Sequence, residues 1–291
     1  MLIGHEEQVA FLDAVASSSG VPPAVLLSGP SGIGKRDFAA AFAAWVQGDP
    51  TSSFTKVAYD TTAKERALCH PDVTVVRGDI PVVELRAIRK RLSMTPFLGN
   101  YSVVIIEEAH LLGEASASTL LKVLEEPNKK TLFVLLARNE RLVLPTILSR
   151  CLHIRLGYVP DETIERALKT TSIANLRPYW CGRPALAHVL LEDVSTRERV
   201  SGYAADCGQF LHGTLYKRFA ILEKYTKRER SELNEILQIW IEYVRTNVSG
   251  APRVPLMRHL SSIYATIATT NASSVFLLNS FALNAPRVAV A

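Results

Sequence analysis

The chain has 291 residues, carries 33 lysines and arginines against 28 aspartates and glutamates, and is 48% hydrophobic. That length and apolar content exclude wholesale disorder and allow roughly one to three packed domains. The net charge of +5 is small and dispersed, so it permits contact with nucleic acid without demanding it. Cys69, Cys151, Cys181 and Cys207 lie far apart with no CxxC spacing, which argues against a zinc ribbon or a disulfide framework. The start, Met1-Leu2-Ile3-Gly4-His5-Glu6-Glu7, has no basic segment before an apolar run, and no apolar stretch reaches bilayer length. A cytoplasmic location without a membrane partner is expected.

In chain order, the first informative element is the apolar strand Ala24–Ser28, followed by Gly29-Pro30-Ser31-Gly32-Ile33-Gly34-Lys35 and a helical stretch over Asp37–Val46. Strand, glycine loop and helix start are the context of a phosphate-binding loop. Glycines let backbone N–H groups turn inward, the helix N-terminus adds partial positive charge, and Lys35 reaches the outer phosphates. The competing reading is a tight turn with no ligand. The next residue is Arg36, where a working P-loop ATPase has a Ser or Thr hydroxyl on Mg²⁺. A guanidinium has no lone pair for a cation and repels it.

Further apolar strands are predicted over Asp72–Val76, Ser102–Ile106 and Thr131–Ala137, with amphipathic helices over Val82–Leu92 and Ala115–Glu126 between them. Such alternation implies a parallel sheet covered on both faces. The third strand ends in Glu107 and Glu108. In P-loop ATPases the first acid supports Mg²⁺ and the second polarises the attacking water. Glu107 and Glu108 fit those positions, although the first is more usually Asp. The plain alternative is a strand end with two solvated acids.

Next come Thr119-Leu120-Leu121-Lys122-Val123-Leu124-Glu125-Glu126-Pro127 and Leu144-Pro145-Thr146-Ile147-Leu148-Ser149-Arg150-Cys151. Together with Ile3-Gly4-His5-Glu6, His70-Pro71-Asp72 and Leu85-Arg86, they make the chain resemble the clamp-loader branch of the AAA+ ATPases. The resemblance covers about the first 155 residues closely and continues more weakly through Gly182-Arg183-Pro184-Ala185-Leu186-Ala187. It implies an AAA+ P-loop domain over 1–157, a small helical lid over 158–196 and an all-α collar domain over 197–291.

The resemblance also implies roles. Arg150 matches the arginine finger that enters a neighbouring subunit's ATP site, against the alternative of an Arg that pairs locally. Arg86, Arg89 and Lys90 share one helix face, and the equivalent helix of clamp loaders lines the DNA chamber; solvated surface charge is the other reading. The implied partners are the gamma/tau motor subunits, the delta subunit, the sliding clamp and primer-template DNA. The implied cofactor is ATP or ADP; Arg36 itself disfavours Mg²⁺, and the cysteine spacing argues against zinc.

Departures from the hydrolysing subunits point one way. Arg36 replaces the hydroxyl, the four-cysteine zinc module is absent, and Ala185 stands where the lid carries a nucleotide-sensing Arg, with Arg183 two residues early. The sensor position near Arg138 and Asn139 lacks the usual Thr. A subunit that offers a finger but has a damaged site of its own matches the delta prime type of bacterial DNA polymerase III. The alternatives are an active motor subunit, which Arg36, Ala185 and the lack of a long C-terminal extension oppose, and a nucleic-acid-binding protein with a vestigial nucleotide fold.

Beyond about Pro160 the pattern is helical. Leu233, Ile236, Leu237, Trp240 and Val244 recur at helical spacing as a core face. Lys224, Lys227, Arg228 and Arg230, interleaved with Glu223 and Glu229, read as a solvated face.

Overall fold

The central strands are apolar on both sides, so each face must be covered. The computed structural model describes residues 2–48, 52–92, 94–126, 130–270, 272–286 and 288. In chain order, α1 (Glu6–Ser19) precedes β1 (Ala24–Ser28), α2 (Lys35–Gln47), α3 (Phe54–Ala58), α4 (Thr61–Leu68), β2 (Val73–Arg77), α5 (Val82–Leu92) and β3 (Ser102–Glu107). Then follow α6 (Glu114–Glu125), β4 (Thr131–Ala137), α7 (Pro145–Leu148) and β5 (Leu152–Arg155). The strands form one parallel sheet in the order β2-β3-β4-β1-β5.

Strand alternation divides the apolar side chains between two cores. Val25 and Leu27 of β1, Val103 and Ile105 of β3, and Leu132, Val134 and Leu136 of β4 face one way, where they join Leu12, Phe38, Phe42, Trp45 and Phe54. Leu26, Val104, Ile106, Phe133 and Leu135 face the other, with Leu85, Leu120, Leu124 and Ile147. Burying each large side chain contributes about 1.5–3 kcal/mol, so the sheet is held rigidly from both sides.

Two details differ from the sequence reading. The second strand runs one residue later than expected because Asp72 is used otherwise. Its buried carboxylate accepts from the backbone N–H groups of Phe97, Leu98 and Gly99 at 2.7, 2.8 and 2.9 Å. The fifth strand, Leu-His-Ile-Arg, is short and half polar, so its pattern gave no strand signal, and pairing with β1 makes it one. Pro127, the last residue of the Leu-Glu-Glu-Pro motif, lies outside the described residues.

The second half is helical: α8 (Asp161–Leu168), α9 (Arg177–Trp180), α10 (Pro184–Glu192), α11 (Val194–His212), α12 (Leu215–Glu223), α13 (Arg230–Asn247), α14 (Arg253–Thr269) and α15 (Ser274–Asn284). The chain divides into two compact units, Met1–Thr170 with Gly182–His188, and Thr171–Cys181 with Val189–Ala291. Side chains cap several helices of the second unit. Asp193 accepts from Ser195 and Thr196 N–H, and Thr214 from Lys217 N–H.

Inside the second unit, Leu233, Ile236, Leu237, Trp240 and Val244 are buried as their spacing predicts. Phe210 stacks on Phe281 with centroids 4.9 Å apart and lies 5.1 Å from Trp240. Arg218 is buried, and its guanidinium donates to the carbonyls of Phe210, Leu211 and Ala285. Lys224, Lys227 and Arg228 lie in the turn between α12 and α13, and Arg230 opens α13. Lys224 pairs with Asp206 and Arg228 with Glu232. Among the described residues, no helix is long and apolar enough to cross a membrane.

Candidate functional site

The loop after β1 has the geometry that its glycines require. A Cβ at Gly29 would lie 2.4 Å from Leu156 O, and at Gly32, where φ is +77°, 2.9 Å from Leu186 Cβ. Gly34 precedes α2, and no side chain caps that helix. The first N–H groups of α2 therefore face the loop without a side-chain acceptor, as an anion site needs. The N-terminal Gly4-His5 segment braces the loop: His5 Nε2 lies 2.9 Å from Ile33 O, and burial lowers the imidazole's pKa.

A cleft of about 250 Å³ opens over this loop, lined among others by Ser31, Lys35, Arg36, Glu107, Glu108 and Arg138. Lys35 Nζ donates to Gly29 O at 2.6 Å and Pro30 O at 2.7 Å. Burial, and then the charge of Arg138, bring its pKa down to about 8, with Glu108 opposing. His110 lines the same cleft, and its buried Nδ1 has no hydrogen-bond partner.

Both acids of β3 are engaged by guanidinium groups. Arg36 Nε lies 3.2 Å from Glu107 Oε1. Glu108, held in left-handed backbone at φ 51°, is gripped from two sides, with Arg77 Nε at the end of β2 at 2.9 Å and Arg138 Nη2 just past β4 at 3.1 Å. A hydrated Mg²⁺ needs oxygen ligands in near-ideal octahedral geometry. Here the hydroxyl position holds a cation and the supporting carboxylate already pairs with it, so these residues do not fit the ion. Among the described residues, no cluster of three or more His, Cys, Asp or Glu could hold a metal ion.

Of the two candidate sensor residues, Arg138 lines the cleft, whereas Asn139 Oδ1 accepts from the backbone N–H of Arg141 at 3.0 Å. Ala185 reaches the cleft wall, and Arg183 is not among the lining residues. Arg77 and His110 were not singled out from the sequence. Arg77 pairs in register with Glu107 across β2 and β3, a neighbour relation that linear spacing does not display.

Arg150 stands just after α7, exposed. Its Nη2 lies 2.8 Å from Glu125 Oε1, and Nη1 donates to Thr146 O at 3.0 Å. The adjacent Cys151 thiol is pushed up to about 11 by burial, which disfavours the thiolate. Arg86, Arg89 and Lys90 are exposed on α5, and none of them lines the cleft.

A parallel sheet in this order, with a glycine loop feeding α2 and acids at the end of the third strand, defines an AAA+ P-loop domain. Residues 4–159, just over half of the chain, match the family described as DNA polymerase III, delta subunit, and the chain belongs to that family. It is 33% identical over 172 residues to DNA polymerase III subunit gamma of Buchnera aphidicola, covering 58% of this chain and 47% of that one. It is 33% identical over 102 residues to DNA polymerase III subunit delta' of Bacillus subtilis, covering 34% and 31%. The chain thus spans about half or less of the length of these relatives. A Thermotoga maritima DNA polymerase III gamma subunit-related protein shares the fold at TM-score 0.59 and 18% identity, with 96% of this chain and 99% of that one covered.

Proposed function

We propose that this chain is a clamp-loader subunit of the delta prime type. It would assemble with gamma/tau-type motor subunits and a delta subunit to load the sliding clamp on primer-template DNA. One contrast carries the reading: Glu107 and Glu108 are both bound by guanidinium groups, while Arg150 is exposed at the end of a short helix. The first half of that contrast disables hydrolysis in cis. The second suits a finger delivered in trans, which stabilises charge on a neighbour's γ-phosphate and is worth about 10³–10⁵ in rate. Within this reading, residues 158–196 form the lid, 197–291 form the collar, and Arg86, Arg89 and Lys90 face DNA.

The second reading is a gamma/tau-like motor subunit, which the longer match to the Buchnera gamma subunit favours. The test is reconstitution. The chain is mixed with candidate motor and delta subunits, assembly is checked by gel filtration, and ATP turnover is measured with clamp and primed DNA. Stoichiometric assembly with turnover that depends on Arg150 and not on Lys35 supports the delta prime type. Turnover by the isolated chain that is lost in Lys35→Ala supports a motor.

A further inference from the structure

We propose that the P-loop cleft binds the diphosphate group of a nucleotide without a divalent cation, with the Arg36 guanidinium in the cation's place. The inference rests on the AAA+ reading of the cleft and extends it from a site that lacks a metal to one built to do without it.

The charge arrangement carries the argument. In a metal-dependent site, carboxylates hold the cation and the cation holds the phosphates. Here the cations are covalent parts of the chain. Arg36 follows Lys35 in the first turn of α2 and pairs with Glu107, which would otherwise repel a phosphate. Its side chain is 63% exposed, and a guanidinium has five N–H donors in a planar fork, so donors remain for a phosphate oxygen pair. Glu108 is likewise neutralised, by Arg77 and Arg138. Lys35 and Arg138 line the cleft beside the uncapped start of α2. His110 adds a buried Nδ1 with no hydrogen-bond partner on the same wall. Free Mg²⁺ would compete with Arg36 for Glu107 and gain no hydroxyl, so it should not strengthen binding.

The experiment is calorimetric titration of the full chain with ADP, ATP and pyrophosphate, each in EDTA and in excess Mg²⁺. The expected result is binding in EDTA at least as tight as in Mg²⁺, lost in Lys35→Ala. Arg36→Thr, which restores the hydroxyl, should weaken binding in EDTA about tenfold or more, roughly 1.4 kcal/mol, and introduce Mg²⁺ dependence. Because Arg36 is exposed, the folded state of this variant is readily verified by circular dichroism. ADP bound more tightly than pyrophosphate assigns the diphosphate to a nucleotide, and the reverse assigns it to inorganic polyphosphate; either supports a metal-free site. Binding only with Mg²⁺, or no binding in either buffer, overturns the proposal. Neither outcome touches the clamp-loader assignment, which the reconstitution decides separately.

Discussion

Arg150 and Glu125, 25 positions apart in sequence, meet with Nη2 2.8 Å from Oε1, both side chains partly exposed at 36% and 51%. The pair joins the two most specific motifs of the chain, the Ser-Arg-Cys turn and the Leu-Glu-Glu-Pro helix. An exposed ion pair of this kind is worth roughly 0.2–1 kcal/mol, enough to hold the guanidinium in place and weak enough to yield to a phosphate.

Arg150→Ala should therefore leave folding and assembly nearly intact while lowering the DNA-stimulated ATP turnover of the reconstituted loader. Arg150→Lys should rescue poorly, because an ammonium lacks the planar fork. Glu125→Gln should keep turnover. Wild-type turnover and clamp loading in an assembled Arg150→Ala complex would remove the trans role.

The pure chain should show negligible ATP hydrolysis, and Arg36→Thr alone should not restore it. That substitution returns a hydroxyl, but Glu108 stays held by Arg77 and Arg138 and cannot polarise water. Steady-state phosphate release checks both. Robust Mg²⁺-dependent turnover by the wild-type chain, abolished in Lys35→Ala, would contradict the disabled site.

Lys35 predicts a pH dependence. Its pKa is lowered to about 8, mainly by burial, so the ammonium is present below that value and fades above it. Phosphate binding should weaken between about pH 7 and about pH 9.5, and Lys35→Arg should flatten the profile. The stability effect has the opposite sign. The unfolded chain keeps the proton up to a value near 10.5, so this group's contribution to stability rises between about pH 8 and about pH 10.5. Calorimetric affinities and melting scans read the two effects separately.

Asp72 tests the fold. Burial would raise its pKa, but the N–H groups of Phe97, Leu98 and Gly99, with His70, outweigh burial and hold it below the ordinary value. Its stabilisation is thus present above the unfolded carboxylate pKa and is lost as pH falls through the lower folded value. Asp72→Ala strands three donors at about 1–3 kcal/mol each if unmet; with partial rescue by water, a loss of roughly 2–4 kcal/mol is expected in denaturant melts. An unchanged midpoint would show that the loop over 97–99 does not depend on this carboxylate.

Truncation after Leu191 should abolish co-purification with the other loader subunits. The cut removes α11–α15 and strips Trp180, which is fully buried, of its own unit, in which α9 packs on α13. A truncated chain that still assembles stoichiometrically would move the assembly surface to the first unit.

Local chemistry made much of this protein legible in its sequence. Apolar runs rich in Val, Ile or Leu marked β1, β3 and β4, glycine spacing marked the loop, and helical periodicity marked the buried stripe of α13. Each depends on contacts or backbone freedom within a few residues, which linear order preserves. The sequence also placed Lys35, Arg36, Glu107 and Glu108 near one another, since P-loop and acid strand imply a shared sheet edge. Only the tertiary structure decided which charge meets which. Arg77 reaches Glu108 because β2 lies beside β3, Arg138 because β4 lies on the other side, and Glu125 meets Arg150 because α6 packs on α7. The strand Leu152–Arg155 exists because β1 offers it an edge. These pairings are set by strand order and register, which bring together residues tens of positions apart, and no local spacing encodes them.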